Sequence, residues 1–114
     1  MKKLLSEQTV ELDGMTFTVR PQTYEDFARA MDYAEKLDIS NENIRNVSIG
    51  SYSLLLRITS WTGVELSDGS VAECTDQNKM ALFGQHPDLL NDLARQLGII
   101  KEADEKNLET SQTG

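Results

Sequence analysis

The chain has 114 residues, 39% of them hydrophobic, and a formal net charge of −8, which is typical of one ordinary soluble domain with a modest core. The negative charge argues against binding to nucleic acid or to an anionic membrane surface. The apolar runs are far shorter than the roughly 20 residues of a membrane-spanning helix, so we expect neither a membrane segment nor an export signal. The single cysteine excludes an intrachain disulfide and fits a reducing cytoplasm.

Residues 9–20, TVELDGMTFTVR, have the pattern of a β-hairpin. Apolar and polar residues alternate on both sides of Asp13-Gly14, a pair that favours a two-residue turn because both positions tolerate positive φ. Pro21 ends the second strand because it has no N–H for the ladder.

A first helix is predicted over residues 23–38, with Thr23 as its N-cap. Its apolar face consists of Phe27, Ala30, Met31, Ala34 and Leu37, flanked by Tyr24 and Tyr33. A second helix should start near Ser40 or Asn41. Its three–four repeat runs through Ile44, Val47, Ser51, Leu54, Leu55, Ile58 and Trp61. Gly50 either weakens this helix locally or marks the close approach of a neighbouring helix.

Gly63 has the position of a C-cap glycine for the second helix. Residues 64–72, around Asp68-Gly69, form either a second small hairpin or an ordered loop. A third helix is predicted from Thr75 to Phe83, and Pro87 opens a fourth. The buried stripe of the fourth helix comprises Leu89, Leu90, Leu93, Leu97 and Ile100, with Ala94 beside it.

These elements predict an α+β, mainly helical fold, with an N-terminal β-hairpin followed by about four helices. A short second hairpin between helices two and three remains open. We expect residues 1–103 to form a single globular domain and residues 104–114 a disordered polar tail.

Catalytic chemistry has little support in this sequence. His86 and Cys74 are the only histidine and cysteine, and they lie twelve residues apart across a predicted helix. A nucleophile needs a base within hydrogen-bond reach, and a structural zinc site needs more ligands of these types. No phosphate-binding loop or hydrolase motif is present. We therefore predict no catalytic residues, no metal site and no cofactor.

Binding to another protein is the remaining expectation. Trp61 either packs in the core at the end of the second helix or acts as a half-exposed anchor for a partner, since tryptophan is enriched at binding hot spots. We name Trp61, Leu54, Tyr24 and Tyr33 as candidate partner-binding residues. The acidic charge favours basic partners, or it is simply a solubilising surface.

The segment ITSWTGVELSDGSVAECTDQNKMALFGQHPDLLNDLARQL resembles the small tail assembly chaperones of long-tailed bacteriophages and prophages. The shared pattern is Trp61-x-Gly63-Val64, the Asp68-Gly69 turn, a capped short helix and then Pro87 opening a leucine-rich helix. The hairpin leading into an acidic helix and the polar ending extend the resemblance over residues 9–107.

The resemblance implies a small, mostly helical, non-catalytic protein of the host bacterial cytoplasm. It would bind the tape measure protein during tail morphogenesis and keep it competent while tail tube protein polymerises around it. The chain would correspond to the short form of the family, which coats the tape measure, and self-association along the client is compatible with this role. The alternatives are another phage structural part, such as a head–tail connector or tail-completion protein, and, less favoured, an acidic DNA-mimic inhibitor.

Overall fold

The computed structural model of the protein describes residues 1–99. Within them the chain forms an antiparallel hairpin followed mainly by helices, so the predicted α+β class is confirmed. The elements in chain order are β1 (Gln8–Leu12), β2 (Met15–Val19), α1 (Tyr24–Lys36), α2 (Glu42–Arg57), β3 (Ile58–Thr62), α3 (Asp76–Gln85) and α4 (Pro87–Gln96). Ile100, the end of the predicted domain at 103 and the predicted tail at 104–114 lie outside the described residues.

The predicted hairpin is confirmed, and its turn has the expected backbone. Leu12 pairs with Met15 at the end of the ladder. Asp13 and Gly14 between them have φ values of 49° and 80°. Two consecutive residues with positive φ are the signature of the tight turn whose twist matches that of the flanking strands.

Helix α1 starts at the predicted cap. The side chain of Thr23 accepts a hydrogen bond from the backbone N–H of Asp26, and the Asp26 carboxylate accepts one from the N–H of Thr23. This reciprocal capping box satisfies two of the N–H groups that a helix start leaves unpaired. The predicted apolar face is only partly covered, because α1 packs mainly against α2. Ala30 and Ala34 are buried. The larger members of the face stay substantially exposed; these are Phe27, Met31 and Leu37.

The predicted second helix was too long. Helix α2 starts at its Asn41 cap as expected, but it ends at Arg57, and residues 58–62 form the strand β3. Ile58 and Trp61 therefore belong to a strand, although their spacing of three also fits a helix. The strand is stabilised by antiparallel pairing with β2, which puts β2 in the centre of a three-stranded sheet. β-Branched residues and tryptophan favour this conformation.

A buried lysine helps to end α2 at this point. The Nζ of Lys79, on α3, donates to the carbonyl oxygens of Leu55 at 2.8 Å and Ile58 at 3.0 Å. The last carbonyls of a helix have no partner within the helix, and a cation there also complements the helix dipole. Lys79 is only 5% exposed, and its ion pair with the Asp76 carboxylate at 3.2 Å balances the buried charge.

Gly63 does not cap a helix, because it follows β3. Its φ is 80°, and a Cβ at this position would lie 2.6 Å from the backbone oxygen of Gly14. Glycine is required here by the close approach of two backbone segments as well as by positive φ. Residues 64–72 form a loop with one isolated antiparallel bridge, between Glu65 and Val71. Of the second hairpin that the sequence left open, only this one pair is present.

The core lies between one face of the sheet and helices α2, α3 and α4. Phe17, on the central strand, is fully buried and contacts the rings of Trp61 and Phe83, with centroid distances of 6.3 and 5.9 Å. Of the predicted α4 stripe, Leu89 and Leu93 are buried. The remaining described members, Leu90 and Leu97, pack against the edge of the core. None of the helices within residues 1–99 combines the length and apolar composition that crossing a membrane requires.

Candidate partner-binding surfaces

The two residues considered for catalysis, Cys74 and His86, make no hydrogen bond with each other in the described part of the chain. The Sγ of Cys74 lies 4.0 Å from the carbonyl oxygen of Ile58, and burial raises the pKa of the Cys74 thiol. His86 joins α3 to α4 and makes no side-chain capping hydrogen bond. Among residues 1–99, no three side chains of His, Cys, Asp or Glu lie close enough together to hold a metal ion.

The four predicted partner-binding residues do not form one surface. Leu54 is buried in the core and only 4% exposed. Tyr24 is 87% exposed at the start of α1. Tyr33 stacks on Tyr52 of α2, with ring centroids 4.1 Å apart and planes 7° from parallel.

Trp61 combines features of both predicted roles. It is half-buried on β3, where its ring meets Phe17 nearly edge-on at an interplanar angle of 80°, and its partner across the ladder is the same Phe17. Its indole Nε1 donates to the carbonyl oxygen of Ala72 at 2.8 Å. Trp61 therefore fastens the 64–72 loop to the sheet. Its polar group is already occupied, which leaves only part of the ring for a partner.

The structure contains an apolar groove where the four helices meet, which we call the helical groove. It has a volume of about 250 Å³ and is lined by Tyr33, Leu37, Val47, Ser48, Ser51, Tyr52, Leu55, Met80, Phe83, Gly84 and Leu90. No charged side chain lines it. Leu37, Val47 and Met80 stand exposed at its surface.

Of the partner-binding residues predicted from the sequence, only Tyr33 lines the helical groove. Val47 belongs to the apolar repeat of α2, and such a repeat favours a buried position. The structure leaves Val47 68% exposed, and the buried residues of α2 lie at its C-terminal end, from Ser53 to Arg57. The uncharged composition of this repeat was the available signal, but periodicity does not say which part of an apolar stripe stays uncovered.

A second concave site lies between α1 and α2, which we call the α1–α2 cleft. Its volume is about 680 Å³. Its lining residues are Gln22, Phe27, Met31, Ser40, Glu42, Arg45, Asn46, Ile49, Gly50, Ser53, Leu54, Arg57 and Ile99. A Cβ at Gly50 would meet no atom within 4 Å. The proposed close approach of a helix at Gly50 is therefore absent, and the glycine faces open space.

An arginine–aspartate network connects the two helices that form the α1–α2 cleft. The guanidinium of Arg20 donates two hydrogen bonds of 2.6 Å to the two oxygens of the Asp26 carboxylate. Arg20 also donates to the Leu56 carbonyl at 3.0 Å. The hydrogen bonds from Arg20, followed by those from Thr23, lower the pKa of Asp26 from 3.8 to about 2. The network ties the start of α1 to the end of α2.

Arg57 joins this network through the backbone of Arg20, not through a carboxylate. Its Nε donates to the carbonyl oxygen of Arg20 at 2.9 Å, and the backbone N–H of Arg20 donates to the carbonyl oxygen of Arg57 at 2.9 Å. Burial lowers the pKa of Arg57.

Comparison of the chain with protein-family models, with curated proteins and with solved structures gives no match.

Proposed function

We propose that this protein is a tail assembly chaperone of a long-tailed phage or prophage, which binds the tape measure protein in the bacterial cytoplasm during tail morphogenesis. The function is non-catalytic. The sequence resemblance over residues 9–107 motivates the proposal. The observation that carries it is the helical groove, an uncharged apolar surface on an otherwise acidic protein.

The helical groove suits an extended helical client for two reasons. Its lining is mainly apolar and carries no charged side chain, and an amphipathic helix binds by laying its apolar face into a groove of this kind. The chain as a whole has a net charge of −8, which attracts a segment with basic residues beside its apolar stripe and speeds its association. The same charge keeps several copies soluble along one client.

The test is co-expression with the candidate tape measure protein, a large coiled-coil protein encoded in the same gene cluster. We expect the client to be recovered as a soluble complex. Val47→Glu should reduce the recovered complex about tenfold, because it buries an unpaired carboxylate in the interface. Ile44→Glu is the matched control, since Ile44 is 56% exposed on the same helix and lies outside the helical groove.

The composition of finished particles separates this function from its main alternative. A chaperone should be absent from purified virions, whereas a head–tail connector or tail-completion protein must be present in them. An insoluble client with no recovered complex, or detection of this chain by peptide mapping of virions, would overturn the proposal. Recruitment of tail tube protein is an expectation of the family resemblance, and pull-down with that protein tests it separately.

A further inference from the structure

We propose that the α1–α2 cleft is a second binding site, which recognises a carboxylate side chain presented among apolar residues by a helical segment of a partner protein. In this site Arg57 and Ser53 hold the carboxylate, and the apolar walls hold its neighbours. The site does not depend on what the helical groove binds.

A buried hydroxyl group without a partner provides the first observation. Ser53 lines the cleft, and its Oγ is buried and has no hydrogen-bond partner. A buried hydroxyl group that makes no hydrogen bond costs free energy, so nearly all such groups in native proteins have partners. A ligand oxygen in the cleft would provide the missing acceptor once rotation about the Cα–Cβ bond of Ser53 turns the hydroxyl group toward the cleft.

The second observation is a buried cation, Arg57, that forms no direct ion pair within residues 1–99. Arg57 is only 9% exposed. Its Nε is used by the Arg20 carbonyl, and its two terminal nitrogens make no hydrogen bond within residues 1–99. These nitrogens are not among the fully buried unpartnered atoms, and Arg57 lines the cleft. The charge of Asp26 acts on Arg57 through space, but both oxygens of its carboxylate accept hydrogen bonds from Arg20.

Helical spacing brings these two groups together. Ser53 and Arg57 are four residues apart on α2, so their side chains are neighbours on one face. Gly50 continues this face and leaves it open, since nothing lies within 4 Å of its Cβ position. A planar guanidinium with free N–H groups matches the two oxygens of a carboxylate.

The remaining lining favours a polypeptide with apolar residues on both sides of the acid. Phe27 and Met31 form the α1 wall, while Ile49 and Ile99 line the cleft elsewhere. The charged lining residues are two arginines and one glutamate, so the cleft is locally positive on a protein of net charge −8. Long-range attraction alone would select a basic partner. Preference for an acidic segment would therefore come from the cleft itself.

The probe is a pair of capped, helical 14-residue peptides of leucine and alanine with one central Glu or one central Gln. We expect the Glu peptide to bind about tenfold more tightly, as hydrogen bonds to a charged group allow. In amide and guanidinium NMR spectra, its addition should shift the signals of Ser53 and of the Arg57 Nε–H. Equal affinity for the two peptides, or no shift at these groups at about 1 mM peptide, would overturn the proposal.

Two matched glycine variants assign the binding to the cleft. Gly50→Leu fills the α1–α2 cleft and Gly84→Leu fills the helical groove. Both positions are helical and open, with no atom within 4 Å of the Cβ position. Gly50→Leu should reduce Glu-peptide affinity at least tenfold, whereas Gly84→Leu should leave it unchanged. The reverse pattern in the peptide assay would refute the site. Recovery of the tape measure complex should fall only with Gly84→Leu. The two variants therefore separate the two proposals.

Ser53→Ala completes the test without risk to the fold. Removing an unpaired buried hydroxyl should leave the melting temperature unchanged or raise it. Affinity for the Glu peptide should fall several-fold and affinity for the Gln peptide should not. Unchanged affinity for both peptides would remove Ser53 from the site. If the wild-type chain dimerises in sedimentation experiments and Gly50→Leu abolishes the dimer, the occupant is a second copy and the partner-helix proposal is wrong.

Discussion

Asp26→Asn tests the network that joins the start of α1 to the end of α2. The substitution keeps the size of the side chain and an oxygen that can accept from the Thr23 N–H. It removes the negative charge that receives two 2.6 Å hydrogen bonds from Arg20. The side chain of Asp26 is 3% exposed, while that of Arg20 is 31% exposed. Arg20 can therefore recover part of its hydration after the substitution.

The pKa of Asp26 sets the size of the expected effect. A fall from 3.8 to about 2 in the folded state corresponds to about 2 kcal/mol of stabilisation of the charged form. Removing one partner of a fully buried pair costs about 3–5 kcal/mol, and the exposure of Arg20 reduces this. We therefore expect Asp26→Asn to lower the free energy of unfolding by about 2–3 kcal/mol at pH 7.

Urea unfolding at several pH values is the assay. Because the folded-state pKa is lowered, the contribution of Asp26 is fully present above pH 3.8 and is lost as the pH falls toward 2. The gap between wild type and Asp26→Asn should close over the same range. Asp32→Asn is the control on the same helix, since Asp32 pairs with Lys36 at an exposed site and should cost less than about 1 kcal/mol. An Asp26→Asn variant as stable as Asp32→Asn would refute the reasoning.

Three further substitutions test the contacts that shape the fold. Lys79→Met should cost about 2–3 kcal/mol in urea unfolding, because it removes two hydrogen bonds from a charged donor to carbonyls at the end of α2; an unchanged midpoint would contradict this role. Trp61→Phe keeps an aromatic ring on the sheet but loses the bond to Ala72, so it should cost about 1 kcal/mol and speed proteolysis within residues 64–72. Gly63→Ala adds a Cβ 2.6 Å from a backbone oxygen and should cost about 3 kcal/mol. Gly69 has a similar positive φ but no atom within 4 Å of its Cβ position, so an equal fall in melting temperature for Gly63→Ala and Gly69→Ala would exclude the steric explanation.

The two proposed surfaces differ in chemistry as well as in position. The helical groove is uncharged and fits the apolar face of a client helix. The α1–α2 cleft contains a buried cation and an unpaired hydroxyl, so it selects by charge. Because Val47 and Gly50 lie on the same helix, one pair of variants can report on both surfaces without disturbing the core.

Local signals in the sequence were sufficient for the hairpin and for every helix start. Asp13-Gly14, Thr23, Asn41 and Thr75 each act through groups within three residues, so their effects do not depend on the rest of the chain. Pro87 opens α4 for the same reason, because its missing N–H is one that the first turn of a helix does not use.

The end of α2 and the two surfaces were decided only by tertiary contacts. Ile58 and Trp61 fit both a helical and a strand pattern, and pairing with β2 together with the Lys79 hydrogen bonds selects the strand. The amino-acid sequence alone determined which segments were amphipathic and where they began. Which part of each apolar stripe stayed uncovered, as at Val47, and which polar groups were buried without partners, as at Ser53, depended on how the helices pack, because burial is a property of neighbours distant in the chain.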